Sequence, residues 1–260
     1  MREPDPAASL SEAQQRAADT GHKMMIPVHG RPFLDYALSG LADAGITDVA
    51  LVVAPDHGAM AAHYQAHPAV RVRLAWVVQP EPLGTANAVL AAAAWAGDAP
   101  FLAMNADNLY SSSALEALAS LDEPGLPAFE RDDLVRTGNI PAERISAFAL
   151  VDVDDEGYLT GILEKPTELP PKGGNYRTPH TKDVLVSMNC WRFDQRIFDA
   201  CRDVPRSARG EHELPEAVGL ALRRGVRFRA IPARGPVLDL SRRADAADVE
   251  RRLAGMAPRP

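Results

Sequence analysis

VRLAWVVQPEPLGTANAVL, residues 72–90, holds a strand, a polar turn and the start of a helix in one stretch. Residues 72–78 are apolar at nearly every position, the composition of a strand covered on both faces rather than on one. Gly84 allows close backbone approach, and Thr85 with the amides after it opens a helix over residues 84–96. The same alternation repeats on either side. Residues 48–54 (DVALVVA) are a second continuous apolar run, and residues 101–104 (FLAM) a third, ending in a polar turn. Residues 60–66 read as a helix. Residues 31–44 read as an amphipathic helix with Pro32 in its first turn, Phe33, Leu34, Ala37, Leu38 and Leu41 on one face, and Gly45 as its stop. Short strands alternating with helices predict an α/β fold, a Rossmann-like, doubly wound, mostly parallel sheet with right-handed crossovers. Ligands in such sheets bind beyond the carboxyl ends of the strands.

Past residue 125 the pattern changes. Residues 146–152, 159–163 and 184–189 read as strands without long helices between them, so a smaller, β-rich part is expected there. Residues 166–183, rich in Pro, Gly, Lys and Thr, read as a loop. Helices over 213–223 and 244–255 flank a last strand near 226–231. At the other end, residues 1–22 are polar and alanine-rich. Residues 11–18 are expected to form a short exposed helix, with the ordered fold beginning at Lys23.

Composition narrows the function classes. The chain has 260 residues, 46% hydrophobic and 24% charged, which excludes a disordered or collagen-like protein. A net charge of −7 argues against nucleic acid or an anionic membrane as the main partner, while leaving room for a local basic pocket that holds a phosphate. Two cysteines, Cys190 and Cys201, exclude a disulfide framework and a cysteine-based zinc site, and suit a reducing cytoplasm. No apolar run reaches membrane-spanning length, and the first residues lack the apolar core of an export signal.

Four segments place polar residues just after a predicted strand. In residues 77–90, Gln79 offers an amide donor and an acceptor to a base edge; the Gly-Thr pair alone would be only a strand-to-helix turn. In residues 101–110, Asp107 stands where a carboxylate can hold Mg²⁺ against a phosphate, although a lone Asp there is more often a turn residue. In residues 154–166, a strand ends in Glu164, Lys165 and Pro166. Strand alternation would send Glu164 and Lys165 to opposite faces, so a mutual salt bridge is not expected. In residues 235–253, Asp239 ends a short apolar run before a helix and offers a second carboxylate, a position that a helix cap would also explain. The seven histidines, Trp191 and the Arg pairs at 223–224, 242–243 and 251–252 take plain readings: surface or structural histidines, core packing and solvated helix faces.

In this order along the chain, the segments resemble the sugar-1-phosphate nucleotidyltransferase family, the glucose-1-phosphate thymidylyl- and uridylyltransferases and their relatives. The family's P-K-x-M-x-P-V stretch is similar to residues 22–28, with His22 in place of the Pro, and its helix entry G-x-P-x-[LI] to residues 30–34. Its Q-x-x-P-L-G-T-A motif looks like residues 79–86, its N-G-D like Asn105, Ala106 and Asp107, and its E-K-P like Glu164, Lys165 and Pro166. Its sugar-side Asn motif is similar to residues 188–191, and its late Asp to Asp239.

The resemblance implies a nucleotide-diphospho-sugar transferase fold. Residues 1–22 would be a polar N-terminal segment, 23–125 a nucleotide-binding half, and 126–260 a sugar-phosphate-binding half of the same domain. It implies that Lys23 contacts nucleotide phosphates, that Gln79 and Gly84 read a pyrimidine ring with Thr85 supporting the turn, and that Asp107 and Asp239 hold Mg²⁺. Glu164 and Asn189 would bind sugar hydroxyls, and Lys165 the sugar phosphate. The expected reaction joins a nucleoside triphosphate, dTTP or UTP, to a sugar-1-phosphate, glucose-1-phosphate by default, releasing pyrophosphate. A homo-oligomer is compatible with it. The alternative is a non-catalytic sugar-nucleotide-binding regulatory subunit or an inactive truncated form. A dinucleotide oxidoreductase is disfavoured because no G-x-G-x-x-G follows a strand. The family's opening strand and phosphate loop, roughly L-A-A-G-x-G-T-R, has no counterpart ahead of Lys23. The resemblance therefore carries the expectation that the gene starts upstream of Met1. Without that strand, inner strand edges should stay unpaired, and the 260 residues should bind nucleoside triphosphate poorly.

Overall fold

The computed structural model describes residues 10–19, 22–166 and 184–260. The expected loop at 166–183 therefore lies, but for Pro166, outside the described residues. Among the described residues the first element is α1 (Glu12–Asp19). A 3-10 turn at Lys23–Met25 leads to the hairpin β1 (Pro27–Val28) and β2 (Arg31–Pro32), then to α2 (Phe33–Asp43). Helix α2 starts two residues later than its periodicity suggests because Arg31 and Pro32 pair with Val28 and Pro27. It ends at Gly45 as expected: Gly45 has φ +82°, Ile46 N–H bonds Leu41 C=O at 2.9 Å and Gly45 N–H bonds Ala42 C=O at 3.1 Å, the paired bonds of a left-handed helix stop.

β3 (Asp48–Val53), α3 (Gly58–Ala66), β4 (Arg73–Val78), α4 (Thr85–Ala91), α5 (Ala93–Ala96) and β5 (Phe101–Met104) then alternate as their apolar runs require. The rest of the chain supplies β6 (Asn108–Leu109), α6 (Ser112–Ala119), β7 (Gly125–Glu130), α7 (Arg131–Thr137), β8 (Ala149–Val153) and β9 (Leu159–Leu163). After these come β10 (Leu185–Ser187), β11 (Cys190–Phe193), α8 (Arg196–Asp203), α9 (Leu214–Arg223), β12 (Arg229–Ala233), β13 (Leu238–Asp239) and α10 (Asp245–Arg252).

The sheet runs β5-β11-β7-β10-β8-β9, with β12 beside β7. β3 and β4 pair in parallel from Asp48↔Arg73 to Val53↔Val78, and β7 and β12 also pair in parallel. The other ladders are antiparallel. Parallel pairing is thus narrower than the strand-helix alternation predicts: five residues join β8 to β9, too few for a crossover, and β10 and β11 pair antiparallel with strands that are not their neighbours in sequence. Strand β7 escaped prediction because GLPAFE carries Gly125 and Pro127, residues that propensity assigns to turns. Burial overrides that preference: five of its six residues are buried.

Trp191 is fully buried, as expected, and stacks on Phe193 with ring centroids 5.6 Å apart. Helix α1 departs from expectation. It is docked rather than exposed: Ala18 packs with Ile26, Phe33, Leu240 and Val249, and Gln14 Nε2 donates to Pro27 C=O at 3.0 Å. Order therefore begins ahead of Lys23. Arg243 is likewise buried instead of solvated, and donates to Asp19 Oδ1 at 2.7 Å. Both cysteines are free and buried, and burial pushes the Cys201 thiol up to about 12, so neither is a reactive thiolate. No described helix is long and apolar enough to cross a membrane.

The turn at residues 79–86 is held by a loop from much later in the chain. Ala86 N–H donates to His212 C=O and His212 N–H to Leu83 C=O, both at 2.8 Å. The approach is close because Gly84 has φ +104° and ψ 177°, a backbone shape confined to glycine, and no side chain. A Cβ there would lie 2.6 Å from His212 O and 2.7 Å from His212 N. Gly84→Ala should cost about 2 kcal/mol or more in urea unfolding, since strain and a backbone clash add.

Candidate active site

Two of the predicted site carboxylates are built onto adjacent strands. β6 and β13 pair Asn108 with Asp239, and Leu240 N–H donates to Asp107 C=O at 2.9 Å. Residues 132 positions apart are thereby placed side by side. Asn139 pins the pairing from below: its Nδ2 donates to Asp239 C=O at 2.8 Å and its Oδ1 accepts from Asp239 N–H at 2.7 Å. Lys23 forms an ion pair with Asp107 Oδ2, so a third predicted residue joins the group.

Asp239 is 1% exposed. Burial pushes its carboxyl above the usual carboxylate range, and the nearby Asp107 charge pushes the same way. A hydrogen bond from Ser241 Oγ and the Arg144 guanidinium oppose them. Arg144 is also buried. It ion-pairs with Asp239 Oδ2 and, at 2.8 Å, with Asp245 Oδ1. One cation thus compensates two buried carboxylates, while its Nε has no hydrogen-bond partner. Nothing in the sequence signals Arg144, which lies in a 3-10 segment (Ala142–Ala147) 95 positions before Asp239.

The Mg²⁺ that the resemblance implies fits this donor set in one mode. Among the described residues no group of three or more His, Cys, Asp or Glu forms a cation cage. Two neighbouring carboxylates that feel each other's charge suit a small hard cation completed by substrate phosphates and water. Asp107 and Asp239 are the residues that would hold it.

The remaining predicted residues form a second, linked group. Gln79 Nε2 donates to Gly84 C=O at 3.1 Å and to Asn87 Oδ1 at 2.8 Å, which spends the amide's donors inside the turn and leaves its acceptor oxygen. Thr85 Oγ1 accepts from Leu214 N–H at 2.8 Å, so its hydroxyl starts α9 rather than its own helix. Lys165 and Glu164 form a salt bridge at 3.0 Å, contrary to the strand-alternation argument. The reason is local: β9 ends at Leu163, and Lys165 has φ +43°, so both residues lie past the extended backbone. Burial raises the Glu164 carboxyl, and Lys165 and Arg209 lower it. Arg209, which ion-pairs with Glu213, went unnoticed in the sequence; Arg209-Gly210 just ahead of α9 was the available signal. Asn189 takes φ +53°, and its Oδ1 accepts from Trp191 Nε1 at 3.4 Å. Thr85 and Asn189 of this group line one cavity together with Met24, Asn105 and Ala106, chain neighbours of Lys23 and Asp107.

The profile of the nucleotidyl transferase family matches residues 18–239. The chain belongs to that family. It is 29% identical over 252 residues to a glucose-1-phosphate thymidylyltransferase of Streptomyces antibioticus, covering 92% of this chain and 63% of that one. It is 28% identical over 231 residues to the UTP–glucose-1-phosphate uridylyltransferase AglF of Haloferax volcanii, covering 89% and 87%. The chain thus spans less than two thirds of the Streptomyces relative. A UDP-glucose pyrophosphorylase solved with UDP-glucose superposes with a TM-score of 0.71 over 95% of this chain and 97% of that one, at 17% identity, which establishes the shared fold.

Two outcomes test this electrostatic arrangement. Arg144→Met leaves Asp239 buried without its cation and should cost about 3–5 kcal/mol in urea unfolding, partly recovered by adding Asp239→Asn. For Glu164 the folded carboxyl keeps its proton to higher pH than the unfolded one. Stabilisation by that proton is complete below the unfolded pKa of about 4.3 and is lost as pH rises through the raised folded value. Wild type should therefore lose stability relative to Glu164→Gln as pH rises from about 4 to 7.

Proposed function

We propose that this nucleotidyl transferase joins dTTP or UTP to a sugar-1-phosphate, with glucose-1-phosphate as the default sugar, and releases pyrophosphate. The observation that carries the reading is the meeting of Lys23, Asp107 and Asp239, three residues far apart in sequence.

The chemistry asks little of a general base. A sugar-1-phosphate is mostly dianionic at neutral pH, since the second phosphate pKa is about 6, and its oxygen can attack the nucleotide's α-phosphorus directly. The protein must instead bring two anions together and absorb the charge. Lys23 would meet the nucleotide phosphates and Lys165 the sugar phosphate. When held by Asp107 and Asp239, Mg²⁺ supplies charge neutralisation at the phosphate oxygens. Glu164 and Asn189 would accept from or donate to sugar hydroxyls, and Arg209 adds positive charge on the Glu164 side. Gln79 keeps an acceptor oxygen, which suits the ring N–H that thymine and uracil share and cytosine lacks. That match supports a pyrimidine nucleotide without choosing between dTTP and UTP. The names of the thymidylyl and uridylyl relatives support glucose-1-phosphate. The two buried, inert thiols are consistent with a cytoplasmic protein.

The test is pyrophosphate release measured across nucleotides and sugar phosphates. Activity with dTTP or UTP plus glucose-1-phosphate is expected, at low nucleotide affinity in these 260 residues, and Asp107→Asn should lower kcat by about 10² or more while the fold persists. Saturable nucleotide binding without turnover in the unaltered chain would instead identify a regulatory subunit.

A further inference from the structure

Gln79 is fixed at its backbone and at its side chain. Its backbone N–H donates to Val53 C=O at 2.8 Å, which continues the parallel ladder of β3 and β4 past its last pair, Val53↔Val78. Its side-chain Nε2 donates to Gly84 C=O at 3.1 Å and to Asn87 Oδ1 at 2.8 Å. A glutamine amide has nearly the same shape with its oxygen and nitrogen exchanged, so its partners decide which way it faces. Gly84 C=O can only accept. One of its lone pairs takes Ala88 N–H at 3.1 Å, inside the first turn of α4, and the other takes Nε2. That carbonyl therefore turns the Gln79 nitrogen toward the helix start, and Asn87 must present its oxygen to the same nitrogen. Reversed, Gln79 would set its own oxygen against two acceptors.

Asn87 is a poor choice for its helix. It is the one polar residue after Thr85 in TANAVLA, and asparagine is among the weaker helix formers. A polar side chain at this third helical position commonly reaches back to the N-cap amide. Here the Asn87 oxygen serves Gln79 instead.

We propose that Asn87 is a positioning residue that sets which bases Gln79 accepts, an inference that rests on the base-reading role given to Gln79 above. With both N–H groups spent, the amide offers a base only Oε1. Gln79 is half-buried, which leaves part of its side chain open to a ligand. An acceptor there pairs with the ring N–H of uracil and thymine, and meets the bare ring nitrogen of cytosine lone pair to lone pair. Turned over, the amide would donate to that nitrogen and the preference would reverse. Gly84 occupies one N–H; Asn87 occupies the other, which would otherwise be a donor open to cytosine.

The test compares wild type with Asn87→Asp, which keeps an acceptor in place, and Asn87→Leu, which has similar bulk and none. Asn87→Ala, a better helix former, repeats the loss should the leucine disturb packing. Circular dichroism checks that each is folded. Without nucleotide, NMR follows solvent exchange of the Gln79 side-chain NH2, assigned by its absence in Gln79→Glu. With nucleotide, the same spectra give Kd for UTP and for CTP. The ratio of the two cancels any general repulsion between Asp and triphosphate. Wild type and Asn87→Asp should protect the NH2 alike and share one CTP-to-UTP ratio. In Asn87→Leu and Asn87→Ala exchange should quicken and the ratio fall, each about tenfold, the worth of one hydrogen bond. Exchange as slow without the Asn87 oxygen as with it overturns the positioning role. A wild type that prefers UTP, with the same ratio in Asn87→Leu, overturns the effect on base choice and leaves the pyrimidine reading standing. A wild type that binds both nucleotides alike, or neither, overturns the base-reading role of Gln79 and this inference with it.

Discussion

Two short strands, β6 and β13, make the candidate site possible. Each contributes only two residues, yet their pairing sets Asp107 against Asp239 and gathers like charge in a place shielded from water. Such an arrangement is unfavourable unless compensated. Lys23 compensates it from the exposed side and Arg144 from the buried side. Arg144 extends its charge to Asp245 at the first turn of α10, so the last helix is tied to the same point. Helix α1 is tied there too, through Ala18 against Val249 and Asp19 against Arg243.

The second half of the site depends on a different device, the clamp of residues 207–214 over the turn that begins at Gln79. His212, Leu214 and Glu213 touch, respectively, the Gly84 backbone, the Thr85 hydroxyl and Arg209. The backbone that would face a base and the charges that would face a sugar are thus one connected structure. A substitution on either side is expected to be felt on the other, because neighbours sharing a network are not additive.

Between these halves the sheet is interrupted. The apolar composition of β3, β4 and β5 predicts strands covered on both faces, whereas β5 is half-buried and, among the described residues, pairs with β11 alone. Composition here describes the environment the strand is suited to, and the pairing describes the one it has.

Local pattern determined a good deal by itself. The apolar runs at 48–53, 73–78, 101–104 and 159–163 gave strands within a residue or two of their bounds, and Gly45 ended α2, because burial on both faces and a left-handed stop are local demands. The ordered motifs around Gln79, Asp107, Glu164 and Asp239 pointed to one family, since each places a chemically apt residue at a strand end. Tertiary structure alone decided the rest. It chose antiparallel ladders in the second half, buried β7 despite its glycine and proline, turned Glu164 and Lys165 toward each other, and recruited Arg144 and Arg209. Each of these depends on what a residue meets across the fold, and contacts between residues far apart in sequence leave no local trace.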